Sequence, residues 1–275
     1  SEDAKVEKIP TPVKSKKDFS LDVEAIKNAL TSKTTAVLIN SPNNPSGKIY
    51  SESDIKELAS VLYEHGKNTG ITPYLICDEP YRAITYNGKK VTSVFPLYDN
   101  AVVVTSFAKN LSLPGERIGF IAVNPKCEDA KEFIAACTYT TRTLGYVNAP
   151  AFFQKVVAKC WNADVDYSMY TNRCKMITEV VKNAGIEFVE PEGAFYLFCK
   201  APMPILQENK QFIINNGDEE ICDEFAFCDH LKKYNILCAP GSGFGCPGYF
   251  RMAFCVSENT IKNCAEPLQL AKQSW

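Results

Sequence analysis

Apolar positions follow two rhythms along this chain, with a change near residue 185. Upstream, short continuous apolar runs alternate with segments of helical period. DFSLDVEAIKNAL (18–30) places Leu21, Ala25, Ile26 and Ala29 at helical spacing, and TAVLI (35–39) is a run of strand formers. SESDIKELASVLYEHG (51–66) puts Ile55, Leu58, Ala59 and Leu62 on one helix face behind a Ser51/Asp54 capping pair. PYLIC (73–77), AVVVTS (101–106) and IGFIAV (118–123) predict three further strands, and 126–139, 150–161 and 166–185 predict helices. The strand runs are continuous rather than alternating, which predicts a sheet covered on both faces. Their alternation with helices predicts parallel βαβ units.

Beyond Gly185 the texture changes. IEFVEPEGAFYLFCK (186–200) alternates in part around a Pro/Glu/Gly turn and predicts an antiparallel hairpin. Residues 219–234 predict a helix, NILCAP (235–240) a short strand, GYFRMAFCVS (248–257) a longer one, and a last helix starts near Ser257. The whole reads as α/β: a large domain over 1–165, then a linking helix and a smaller α+β domain over 166–275. No internal repeat or low-complexity tract interrupts it.

Composition narrows the class. At 275 residues, 45% hydrophobic and 23% charged, the chain is globular and long enough to bury a sizeable core. A net charge of −2 and a pI near 5.9 give no support for nucleic acid or an anionic membrane as partner. The cluster KSKK (14–17) is short and reads as solvated surface. No apolar run is long enough to span a bilayer, and the charged start SEDAKVEK lacks the apolar stretch of a signal peptide. The twelve cysteines form no framework and no CxxC pair; Cys77, Cys137, Cys199, Cys238 and Cys255 sit in apolar stretches. With only two histidines, no zinc or other metal site is expected, and a reduced, cytoplasmic protein fits best.

Candidate chemistry gathers at strand ends. TAVLIN leads into SPNNPSG, which carries Asn44; PYLIC leads into DEPYR, with Asp78 and Tyr81; AVVVTS leads to Ser106 and Lys109. In an open parallel sheet, ligands sit beyond the carboxyl ends of the strands, so Asn44, Asp78 and Lys109 are expected to converge. Alone, a strand-end lysine is a solvated charge; the expected convergence favours a functional one. Neither a GxSxG elbow nor a GxGxxG or GxxxxGK[ST] phosphate loop is present, and GSGFG (241–245) reads as a turn. A lysine nucleophile opposite an aspartate matches pyridoxal 5′-phosphate (PLP), whose aldehyde bonds an amine and whose ring nitrogen needs an acidic partner.

Four strings then carry a resemblance: NNPSG (43–47), DEPYR (78–82), SFAKNLSLPGERIG (106–119) and GYFRMAF (248–254). Their sequence, order and spacing resemble the fold-type I, class I/II PLP-dependent aminotransferases, the aspartate aminotransferase superfamily, over essentially the whole chain. The resemblance implies a PLP-transferase fold, a mostly parallel sheet with flanking helices plus a smaller C-terminal domain, and a homodimer. It implies transfer of an amino group between an amino acid and a 2-oxo acid through pyridoxamine phosphate. By the same resemblance Lys109 forms a Schiff base with PLP and then serves as general base and acid. Asp78 pairs with the pyridinium nitrogen, and Tyr81 and Asn44 hydrogen-bond the ring's phenolate oxygen. Ser106 and Arg117 grip the phosphate, while Arg251, with Asn44, binds the substrate and clamps its α-carboxylate. Arg142 lies where some relatives bind a side-chain carboxylate, but a solvated helix end is its better reading.

The resemblance begins partway into the family pattern. Relatives carry a long preceding portion with the opening of the small domain, a glycine turn for the phosphate and an aromatic that stacks on the pyridine ring. The chain is therefore expected to be a fragment of a longer enzyme, which is favoured over a natural truncation without catalysis because every downstream functional position is intact. Two rivals resemble the same signature: carbon–sulfur lyases, which release ammonia, and PLP-binding sensor domains of transcription regulators, which carry a basic DNA-binding head.

Overall fold

In the computed structural model, which describes residues 18–217 and 219–275, the chain divides into two units. One comprises Val23–Pro42 and Ile49–Asp166; the other comprises Tyr167–Trp275 together with residues 18–22 and Asn43–Lys48. They are called here the Lys109 unit and the Arg251 unit. KSKK (14–17) and the charged start lie outside the described residues. No helix among those described is long and apolar enough to cross a membrane.

The Lys109 unit opens with α1 (Val23–Ala29) and β1 (Ala36–Asn40). Predicted from residue 18, α1 begins later because Phe19 takes a φ of 54° and Ser20 N donates to Asp18 Oδ1 (2.8 Å), a turn rather than a helix. Helix α2 (Glu52–Thr69) is specified locally: Ser51 and Asp54 form a reciprocal capping box, and Gly70 closes it with φ 77°. Its buried face carries Ile55, Leu58, Ala59 and Leu62, the predicted set. Then come β2 (Tyr74–Asp78), β3 (Ala101–Ser106), a single helical turn α3 (Phe107–Asn110) and β4 (Gly119–Val123). Helices α4 (Ala130–Thr143) and α5 (Ala151–Cys160) complete the unit.

Strands β1 to β4 form one sheet in sequential order. β1–β2 and β2–β3 are parallel, with Asn40 opposite Asp78 and Asp78 opposite Val104. β4 departs from the parallel expectation: it runs antiparallel to β3, pairing Ser106 with Gly119. Residues 107–118 hold only α3 and a turn, too little chain for the crossover that a parallel return needs. Gly119 is required there, since a Cβ would meet Thr105 O at 2.4 Å. The outer strands also depart from two-sided cover: Leu38 of β1 and Phe120 and Ile121 of β4 are exposed. A cluster of Phe107, Ile118 and Val157 packs α3 and the start of β4 against α5.

The Arg251 unit starts with α6 (Ser168–Asn183) and continues through β5 (Phe188–Val189) and β6 (Tyr196–Lys200), the predicted hairpin. An unpredicted hairpin follows, β7 (Ile213–Asn216) with β8 (Glu219–Cys222). Residues 219–222 are thus strand, not the start of the predicted helix. Asp223 stops the strand and caps α7 (Glu224–Lys232), its carboxylate accepting from Phe225 N and Ala226 N. Next come β9 (Ala239–Pro240) and β10 (Tyr249–Ala253), then α8 (Glu258–Asn263), which starts near Ser257 as predicted and is capped by it, and α9 (Ala265–Gln273). The antiparallel sheet runs β5-β6-β10-β9. Phe19, Val189 and Phe198 form a cluster against it, with Phe244, Cys246 and Tyr249. The terminal Trp275 is buried, stacks on Phe212 at 5.4 Å and donates Nε1–H to Pro202 O (2.9 Å).

Candidate active site

In the Lys109 unit, chemistry follows from strand direction. β1, β2 and β3 are parallel and end in Asn40, Asp78 and Ser106. Asn40 Nδ2 donates to Asp78 Oδ2 (3.1 Å) and to Asp78 O (2.9 Å). Burial pushes the Asp78 carboxyl above its ordinary range, and the Asn40 bond opposes that in part. Immediately after, DEPYR turns back: Ile84 N donates to Tyr81 O (2.8 Å), and Tyr81 is buried. Glu79, also buried, is held by Arg82, while Glu79 N donates to Val104 O (2.8 Å), so the turn is fastened to β3.

β3 runs directly into α3. Ser106 caps that turn, its Oγ accepting from Ala108 N (3.3 Å), and Lys109 falls on it. The Lys109 ammonium lies 5.6 Å from the Tyr81 ring centroid, within cation–π range. The loop after α3 carries Arg117 at φ 50°, exposed, with Nη1 donating to Pro114 O (2.9 Å). Asp78, Tyr81, Ser106, Lys109 and Arg117 therefore all belong to one unit. A cleft of about 470 Å³ in the same unit, lined by Phe107, Gly119, Asn148, Gln154 and Trp161, contains none of them.

Asn44 belongs to the other unit. The segment Asn43–Lys48 is fastened there by Gly47, whose carbonyl accepts from Glu192 N and Gly193 N, both at 2.9 Å. Lys48 Nζ pairs with Glu192 Oε1 (3.2 Å). Asn44 Oδ1 accepts from Arg251 Nη1 (2.8 Å). The Arg251 guanidinium lies 4.5 Å from the Tyr196 ring and 4.8 Å from the Phe244 ring. Its Nε is buried and, among the described residues, has no hydrogen-bond partner. A guanidinium held by two rings and one amide, with a buried donor left over, is matched to a planar oxyanion. Arg142 lies in the last turn of α4 and is exposed.

Three contributors escaped the sequence reading. Asn40 closes the predicted strand TAVLI, but its bond to Asp78 depends on register between strands. Tyr196 and Phe244 read as core and turn residues until β6 and the 241–245 loop are folded against β10. The strings GAFYLF and GSGFG were the available signals, and neither points to Arg251 by itself.

The donors in the Lys109 unit fit PLP by their chemistry: an amine, a partly buried acid whose charge is poorly solvated, a phenol, a hydroxyl and a guanidinium. Among the described residues, no group of His, Cys, Asp and Glu could hold a metal ion.

Comparison with known proteins extends this. The aspartate aminotransferase of Thermotoga maritima is 30% identical over 257 residues, which cover 92% of this chain and 60% of that protein. A probable aspartate/prephenate aminotransferase of Aquifex aeolicus is 28% identical over 261 residues, 92% of this chain and 61% of its own. Among solved structures, an amino transferase from Eubacterium rectale superposes with a TM-score of 0.82 at 38% identity, covering 94% of this chain and 60% of that one. This chain spans about 60% of the length of those relatives. The family described as "Aminotransferase class I and II" matches residues 1–268, and with nearly the full chain so matched, this protein belongs to that family.

Proposed function

We propose that this chain carries the cofactor- and substrate-holding residues of a PLP-dependent aminotransferase that moves an amino group between an amino acid and a 2-oxo acid. The single observation behind this reading is that Asp78 ends β2 and Lys109 lies just beyond the same end of its parallel neighbour β3. PLP, when bound, supplies an electron sink for bonds to the substrate Cα. With PLP bound, Lys109 Nζ would hold the cofactor's aldehyde carbon and, once released, would be the base that takes the substrate Cα proton and the acid that gives it back. Asp78 would accept a hydrogen bond from the ring nitrogen and keep it protonated. Tyr81 would donate its hydroxyl to the ring's phenolate oxygen. Asn44, whose Oδ1 accepts from Arg251 Nη1, would join Tyr81 at the same oxygen. Ser106 and Arg117 would bind the phosphate, and the stacked Arg251 would take the substrate α-carboxylate.

The same reading makes 1–165 the cofactor-binding domain and 166–275 the linking helix and small domain. A cytoplasmic site is supported by all twelve cysteines being free thiols. A homodimer is supported by exposed apolar side chains on and around α4 and α5. The test follows the nitrogen. A ¹⁵N-labelled amino acid incubated with the PLP-loaded protein and a second 2-oxo acid should give a ¹⁵N-labelled second amino acid in step with loss of the first. Label recovered as free ammonia, independent of the second oxo acid, would replace transfer by elimination.

A further inference from the structure

Two buried acids, Glu79 and Glu224, take no part in the proposed reaction, and Glu224 is the more deeply buried. Glu224 opens α7, is 1% exposed, and makes its contacts with the loop leading to β10. Its Oε1 accepts from Ser242 N (3.0 Å) and from Ser242 Oγ; its Oε2 accepts from Gly248 N (2.8 Å). One carboxylate thus grips both ends of the 241–248 loop. Within the loop, Gly245 N donates to Ser242 O and Cys246 N to Gly241 O, both at 3.0 Å, so the turn is one connected piece. Phe244, at its crest, is the ring 4.8 Å from the Arg251 guanidinium. Gly248, at its exit, precedes the strand on which Arg251 stands three residues later.

A buried carboxylate is costly unless its oxygens are fully bonded, and the N-terminus of α7 adds a favourable dipole. Glu224 meets both conditions, and every bond it makes bears on one of the two supports of Arg251: its aromatic wall and its strand. We propose that Glu224 is a positioning residue for the Arg251 oxyanion clamp, acting through Ser242 and Gly248. Its relevance to catalysis rests on the reading of Arg251 as the site for the substrate carboxylate; its effect on Arg251 geometry does not.

Glu224→Gln keeps the shape but replaces one acceptor by an NH₂ group that cannot accept from Ser242 or Gly248. The experiment compares wild type, Glu224→Gln and Val181→Ala, a buried α6 truncation that lowers stability without touching these bonds. With ¹⁵N-labelled arginine, the Arg251 Nε–Hε signal is identified by its loss in Arg251→Lys. Glu224→Gln should shift or split that signal and weaken binding of 2-oxoglutarate, the probe, by about tenfold, the loss of one charge-assisted bond, with PLP affinity changed less than about twofold. Val181→Ala, at a comparable loss of melting temperature, should change neither. Ser242→Ala, a milder variant that removes a single hydroxyl donor, should move the signal in the same direction. An unmoved Arg251 signal in Glu224→Gln, or an equal shift in Val181→Ala, overturns the proposal. Should 2-oxoglutarate bind wild type and Arg251→Lys alike, the carboxylate reading of Arg251 fails, while the signal still decides the positioning.

Discussion

Asp78 holds its charge where burial disfavours it, and Asn40 compensates only in part. Its folded pKa therefore lies above the unfolded value of about 3.9. Between the two, the folded chain holds the proton that the unfolded chain has released, so stability falls as pH rises through that window. Asp78→Asn keeps the shape and a carbonyl for Asn40 while removing the charge. Without PLP, the variant should melt with wild type below about pH 4 and above it at pH 7. On the proposed pairing of Asp78 with the ring nitrogen, PLP affinity should fall in the same variant. Melting curves at both pH values with PLP titrations check this; equal melting temperatures throughout would contradict it. Asp78, Tyr81 and Lys109 stood out in the sequence because their motifs are contiguous and sit at strand ends. Asn40 did not, because its bond is set by the register of two strands whose paired residues lie 38 positions apart.

At the scale of elements, local signals were legible and long-range ones were not. The capping box and apolar face of α2 lie within one stretch of chain, and the helix forms on them. The reversal of β4 and the β7–β8 hairpin depend on connection length and on pairing that composition does not carry. The same applies to Asn43–Lys48, whose place in the Arg251 unit rests on bonds from residues 192 and 193 to Gly47. Gly47 has φ 71°, and a Cβ there would meet Pro191 Cβ at 2.9 Å. Gly47→Ala should cost roughly 1–3 kcal/mol, read from the denaturant midpoint. A loss confined to a few tenths would mean the segment yields. Between α7 and α9, His230 Nε2 lies 3.0 Å from Ala271 O. Burial holds its pKa below the ordinary value, against the Ala271 bond, and Lys233 lowers it further. The unfolded chain then binds the proton first, so this contribution is complete above about pH 6.5 and is lost as pH falls toward the folded value. His230→Gln should flatten that slope in chemical unfolding between pH 7.5 and 5.5; an unchanged slope would remove His230 as its source.

At the scale of the molecule, apolar surface remains uncovered on and around α4 and α5. Helix α4 has no buried residue, and Tyr139, Leu144, Tyr146, Phe152 and Trp161 each expose 60–76% of their surface. That much exposed aromatic and aliphatic surface favours self-association. Sedimentation should give a concentration-dependent dimer, and Tyr146→Glu with Phe152→Glu should shift it toward monomer. A wild-type monomer at every concentration would contradict the homodimer.

Lys109 is the residue proposed to bond PLP. The direct measurement adds PLP, reduces with borohydride and maps the pyridoxyl mass by peptide mass spectrometry in wild type and Lys109→Ala. Wild type should show a visible absorbance band lost on reduction and the adduct on the peptide containing Lys109, and the variant should show neither. An adduct on another lysine, with the band surviving in Lys109→Ala, would contradict it.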